Sequence, residues 1–232
     1  MALPKIQQPL FNYTLPVSGI DITFRPFLVS EEKILLAGKE GDPSQQLKAM
    51  EQVIGNVVQE DINLDELTMV DIEMLFIQMR SKSVQNLVKL KYRDTEDDQE
   101  YDFNVDLDTL EPTITENRNP VIDLDGNISM ELKDPTFGVF KRLGLDMLDE
   151  MDTEMILKMI SGCIVSVWDK ETVYDSFSEK DALEFLQGMD TKRFEKISEY
   201  FEGVPKLKHT IEYENSKGSK RKIDLEGLAD FF

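Results

Sequence analysis

One cysteine, one histidine and one tryptophan stand among 232 residues. A lone Cys163 excludes an intramolecular disulfide, and with His209 as the one imidazole the chain lacks the soft ligands of a structural zinc site. A reducing, cytosolic compartment and a fold that needs no metal or other cofactor are the expectation. Cations are scarce as well: 26 Lys and Arg face 46 Asp and Glu, a formal charge of −20 and a pI near 4.4. A field of that sign repels nucleic acid and anionic membrane surfaces. The longest uncharged apolar run, Met159 to Trp168, is too short to span a bilayer, and the first ten residues lack the apolar stretch of a signal peptide. Neither membrane insertion nor secretion by that route is expected. The 41% of hydrophobic residues still exceeds what a disordered polyelectrolyte carries, so a core can form.

What is present is a series of alternating runs separated by helical stripes. Phe11, Tyr13 and Leu15 alternate, a Pro-Val-Ser-Gly break follows, and Ile20, Ile22 and Phe24 alternate again. Pairing Leu15 with Ile20, Tyr13 with Ile22 and Phe11 with Phe24 puts every large side chain on one face of a hairpin. Phe24 and Phe27 are expected to be buried on either side of Arg25, whose guanidinium ties this hairpin to the next helix. Ser30, with Glu31 and Glu32 behind it, reads as the capped start of that helix. Pro43 opens a second helix with a stripe of Leu47, Met50, Ile54, Val57 and Val58, and Met69, Ile72, Leu75, Phe76 and Met79 mark a third.

A second hairpin pairs Tyr92 with Tyr101, Leu90 with Phe103 and Val88 with Val105, leaving Asp94 to Glu100 as a solvated tip. A third pairs Ile122 with Met130 and Leu124 with Ile128 around Asp125-Gly-Asn127. From Asp134 the pattern turns helical, through Phe137, Phe140 and Leu143 and then Met155, Ile156 and Met159 running into Cys163, Val165 and Trp168. Ser178 with Asp181 resembles a capping box opening a helix that ends at Gly188, and Phe194, Ile197 and Phe201 stripe the next. Leu207, His209, Ile211 and Tyr213 alternate into a last hairpin with Ile223 and Leu225, followed by an apolar terminal turn. The class is α+β, with several antiparallel β-hairpins interspersed among helix groups. Polar residues and two prolines make 109–120 a linker between an N-terminal region, 1–108, and a C-terminal region, 121–232, that could still pack as one domain.

No phosphate loop, paired-Cys motif or nucleophile elbow is present, and no enzyme activity is expected. Asp123 to Ser129 superficially resembles a calcium loop, but Ile128 stands where that loop needs Gly and no Glu follows at 134, so it reads as a hairpin turn. Charge asymmetry is the informative feature. Between Lys206 and Lys222 there are six Lys or Arg against two acidic residues, whereas Asp146 to Glu154 is strongly acidic. Candidate partner-binding residues are therefore Lys206, Lys208, Lys220, Arg221 and Lys222, together with Phe231 and Phe232. Two adjacent phenylalanines need burial, on the chain's own hairpin or in a partner groove. Reversing Lys220, Arg221 and Lys222 to Glu is expected to slow partner association and leave the thermal melt unchanged.

Three stretches, Ile22-Thr-Phe-Arg-Pro-Phe-Leu-Val-Ser-Glu-Glu-Lys-Ile-Leu-Leu36, Val70-Asp-Ile-Glu-Met-Leu-Phe-Ile-Gln-Met-Arg-Ser-Lys-Ser-Val84, and Pro205 to Tyr213 with Leu225 to Phe232, resemble the baseplate hub assembly proteins of T-even-type bacteriophages. The resemblance spans nearly the whole chain. It implies a non-enzymatic assembly factor or chaperone that contacts baseplate hub or tape-measure proteins in the host cytoplasm, possible self-association included. A hub subunit retained in the virion baseplate is the alternative it leaves, and an acidic DNA-mimic decoy is a second, from composition. Relatives of this kind carry Cys pairs in their hairpins, a pattern suited to zinc, where this chain has Asp94-Thr-Glu-Asp-Asp and Asn215-Ser-Lys-Gly-Ser.

Overall fold

The structure, a computed structural model, describes residues 4, 6–39, 41–115, 118–144 and 152–231. The acidic stretch is described from Asp152 onward, and Phe232 lies outside the described residues. The class is α+β, and the chain forms two compact units. The first gathers Met1–Ile62, Val70–Pro112 and Lys206–Phe232, and the second Asn63–Met69 and Thr113–Pro205. The change of unit at Pro112 and Thr113 falls inside 109–120, but the last hairpin joins the first unit instead of the C-terminal region in which the sequence order places it.

In the first unit, β1 (Phe11–Thr14) and β2 (Asp21–Phe24) pair antiparallel with Phe11 opposite Phe24 and Tyr13 opposite Ile22. Leu15, Ile22 and Phe24 are buried, while Ile20 is 40% exposed, because it sits in the turn beyond the last paired rung. Arg25 reaches Glu31 at 3.1 Å and the carbonyl of Asn56 at 2.9 Å, tying the hairpin to α1 (Val29–Lys39) and to the end of α2 (Pro43–Val57). Phe27 is half-buried, its ring 6.2 Å from Phe76. Ser30 lies inside α1 and does not cap it; Glu31 reaches back to accept the Leu28 N–H at 2.7 Å. A carboxylate already held by Arg25 serves that N–H as a charged acceptor. Asp42 caps α2 through the Gln45 N–H.

The third helix, α3 (Met69–Ser83), is buried at Val70 to Ile72, Met74 to Ile77, Met79 and Ser81. Burial at that density leaves no polar face, so α3 is a central helix and not one with a single apolar stripe. Asp71 accepts the N–H groups of Val17 and Ser18 at 2.9 and 3.1 Å, and Ser83 accepts that of Phe27 at 2.7 Å, so the opening hairpin and its exit are fastened along its length. The strands β3 (Leu87–Arg93) and β4 (Glu100–Asp106), and β9 (Lys208–Glu214) and β10 (Lys220–Glu226), form separate two-stranded sheets. Their registers pair Tyr92 with Tyr101, Leu90 with Phe103, and Ile211 with Ile223. A 3₁₀ turn, Leu228–Phe231, ends the unit with Leu228 and Phe231 buried.

In the second unit, β5 (Val121–Asp123), β6 (Ser129–Leu132), β7 (Ile164–Trp168) and β8 (Val173–Tyr174) make a four-stranded antiparallel sheet in that order. The helical reading through Trp168 is corrected here: α5 (Thr153–Cys163) stops at Cys163 and the chain continues directly as β7. Isoleucine, valine and tryptophan favour an extended, half-buried surface, and pairing with β6 decides between two readings that the apolar run left alike. Helix α4 (Phe137–Leu143) packs closely on Asn63–Met69: Phe137 donates to the Leu67 carbonyl at 2.9 Å, and a Cβ at Gly138 would lie 2.8 Å from the Asp65 carbonyl oxygen. The capping box of Ser178 and Asp181 opens α6 (Glu179–Gln187), and Asp190 caps α7 (Thr191–Glu202). Met130, Leu132, Ile160, Ile164, Leu186, Ile197 and Tyr200 form the core of the unit. Cys163 is buried and desolvation pushes its thiol up to about 12, which makes it a small apolar residue of the interior.

Candidate interaction surface

In the first unit the β3–β4 hairpin meets, tip to tip, the last hairpin, β9–β10, and the residues singled out for partner binding lie on or beside the latter. In the first tip the Asp94 N–H bonds the Gln99 carbonyl at 3.0 Å, and the Asp94 carboxylate accepts the Glu96 N–H at 2.7 Å. In the second the Asn215 N–H bonds the Ser219 carbonyl at 3.0 Å, and the Asn215 amide oxygen accepts the Lys217 and Ser219 N–H groups at 3.1 and 2.9 Å. Both turns thus fold around an Asx side chain that closes its own loop. Asp98 and Gly218 take the left-handed backbone that each turn requires, at φ 62° and 79°.

Acidic acceptors of one tip face donors of the other. Tyr213 donates its hydroxyl to Asp94 at 2.5 Å, Asn215 its amide to Glu96 at 2.9 Å, and Ser216 both its N–H and hydroxyl to Asp97 at 2.9 and 2.8 Å. Arg221 stands 3.2 Å from Asp94 and 3.7 Å from Glu96. Thr95, Glu96 and Asp98 to Glu100 are exposed, as expected of a solvated tip, but Asp94 at its base is fully buried, its carboxylate beneath the second hairpin. The Tyr213 hydrogen bond, the Glu96 N–H and the Arg221 charge hold that carboxyl below its usual range. Burial and the Asp94 bond push Tyr213 up to about 12. Behind the tips the Tyr213 ring lies 5.0 Å from Tyr101 and 5.2 Å from Phe103. Acceptors and donors satisfy one another across this latch, and among the described residues no group of three or more His, Cys, Asp or Glu side chains is arranged to hold a metal ion.

Three cations of the predicted basic face are paired within the unit, two by their own hairpin and one by the other. Lys208 pairs with Glu226 and Asp224 at 2.8 and 3.1 Å, Lys222 with Glu212 at 2.5 Å, and Arg221 with the first tip. Lys206 and Lys220 are exposed, and so is Lys222 despite its pair with Glu212. Phe231 is buried at 1% exposure in its own unit, which removes it as a partner anchor. His209 stands opposite Leu225 in the ladder. The alternation of Lys and Glu on one strand signals cross-strand pairing, the sign available in the sequence, but the acidic partners of Arg221 lie more than a hundred residues away and no spacing rule reaches them. Arg221→Glu is therefore expected to lower the melting temperature markedly, by setting a carboxylate against buried Asp94, whereas Lys220→Glu and Lys222→Glu leave it within a degree or two. Thermal denaturation of the three single variants checks this; equal melts for all three would mean Arg221 is a surface cation like its neighbours.

The chain is thus an α+β protein in which two long hairpins latch tip to tip, mainly through side chains and with the Ser216 N–H as one main-chain donor. A protein-family model described as T4 bacteriophage base plate protein matches residues 8–232, and the chain belongs to that family. Its role is accordingly in the phage baseplate. No curated protein and no solved structure matches it.

Proposed function

We propose that this chain is a non-enzymatic assembly factor of the baseplate's central hub, acting in the host cytoplasm through contacts with hub or tape-measure proteins and leaving before the virion is complete. The observation that carries the reading is the family match over residues 8–232, which ties the baseplate role to the whole fold and not to one module. The resemblance of the stretches Ile22 to Leu36, Val70 to Val84, and Pro205 to Tyr213 with Leu225 to Phe232 to hub assembly proteins supplies the finer assignment. Against a decoy that mimics DNA stand the packed apolar core and the 26 Lys and Arg interspersed among the acids. Quantitative mass spectrometry of purified virions beside infected-cell extract tests the proposal. The chain is expected to be abundant in the extract and at most a trace in virions; a fixed copy number per particle would instead make it a hub subunit.

A further inference from the structure

The second unit holds an apolar groove of about 340 Å³ between the end of the sheet and α6, with Val167, Trp168, Tyr174, Phe177 and Phe185 in its walls and Asp169 and Asp181 at its rim. One wall is β8, the last strand of the sheet, whose outer edge has no partner strand among the described residues. Val173 and Tyr174 on it are 64% and 51% exposed. An open sheet edge beside an apolar trough suits a peptide that adds a strand through its backbone and places alternate side chains in the trough.

Charge selects the occupant. Asp169 accepts the Glu171 and Thr172 N–H groups at 2.8 Å each, and Asp181 accepts the Ser178 hydroxyl and N–H at 2.6 and 2.9 Å. Those bonds hold both carboxyls below their usual range, so the rim stays ionised. From Asp169 to Asp181 the chain carries Asp169, Glu171, Asp175, Glu179 and Asp181 against Lys170 and Lys180. A second copy would bring the same acidic rim and its own charge of −20 to the contact. We infer that this groove receives an extended apolar segment of another protein, flanked by Lys or Arg, which pairs with β8 and seats its side chains beside Trp168. The inference rests on the reading that the chain works through protein contacts, and it names the chemistry of one such partner.

The test places a photo-crosslinking amino acid at Val173 in the full-length chain during infection, with a second chain labelled at Lys220. The expected result is a Val173 adduct to an apolar segment with more Lys and Arg than Asp and Glu around it. A synthetic peptide of that segment then shifts the emission of Trp168, the chain's one tryptophan, and Val173→Asp with Tyr174→Asp weakens it at least tenfold. Both replaced side chains are exposed, and an unchanged melt of the double variant is the control that its fold is kept. No Val173 adduct, an adduct to a second copy, or an adduct to an acidic segment overturns the groove assignment. Adducts at Lys220 alone would do so while leaving a contact-based function in place, and the virion measurement judges that function separately.

Discussion

Truncating Phe24 to Ala is expected to remove about 3–5 kcal/mol of stability, the usual cost of deleting a fully buried aromatic ring and leaving a cavity. Phe24 is 1% exposed, its ring centroid 5.9 Å from that of Phe11 across the first hairpin. Its backbone is held on the other side as well, bridged to Val58, with the neighbouring Arg25 N–H on the Val57 carbonyl and the Gln59 N–H on the Thr23 carbonyl. The strand therefore cannot shift to fill the space, and the loss falls toward the upper end of that range. Against a total of roughly 5–15 kcal/mol for a domain, the variant would be close to unfolding at moderate temperature. Urea denaturation followed by circular dichroism reads this directly, and a loss below about 1 kcal/mol would place the ring at the surface.

A second large effect is expected at Glu73 and depends on pH. Glu73, on α3, accepts the backbone N–H of Leu228 in the terminal turn, and its carboxyl oxygen lies 3.4 Å from where a Cβ at Gly227 would be. Desolvation pushes this carboxyl from its ordinary value of 4.5 up to about 7. Below about 4.5 both folded and unfolded chains carry the proton and the group contributes no pH dependence. Between about 4.5 and 7 the unfolded chain has released the proton and the folded chain retains it, so stability from this group falls as pH rises. Above 7 the whole penalty, on the order of 3 kcal/mol, is in force. Glu73→Gln keeps an acceptor oxygen for Leu228 and removes the charge. The variant is expected to match the parent near pH 4.5, to gain on it steadily, and to be more stable by that amount at pH 8. Denaturant midpoints of the pair at pH 4.5, 6 and 8 check the slope; a constant difference across the series would mean that Glu73 is solvated.

Much of the fold was legible because it is local. Registers such as Phe11 with Phe24, Leu90 with Phe103 and Ile122 with Met130 follow from period-2 alternation across a short turn, and one residue of slip would have turned each apolar set outward. The cap at Ser178 and the helix start at Pro43 are equally local chemistry. Where a side chain had two good local uses, the sequence misled: Ser30 resembles a cap, yet Glu31 does that work because Arg25 already holds it in place. The apolar run from Met159 to Trp168 fits helix and strand alike, and the partner β6, set by the fold and not by the run, divides it at Cys163.

The sequence by itself determined the α+β class, the hairpin registers, the helix starts at capped positions and the excess of acid, since each depends on residues within a turn or two of one another or on composition. The tertiary structure alone decided the rest. It closed Asp94 under Tyr213 and Arg221, buried Phe231, paired three cations of the basic hairpin and left β8 at an open edge beside Trp168. Whether a charge steers a partner or holds the fold depends on which opposite charge stands within a few ångströms. For Arg221 that neighbour lies more than a hundred residues back along the chain, a distance over which periodicity carries no information.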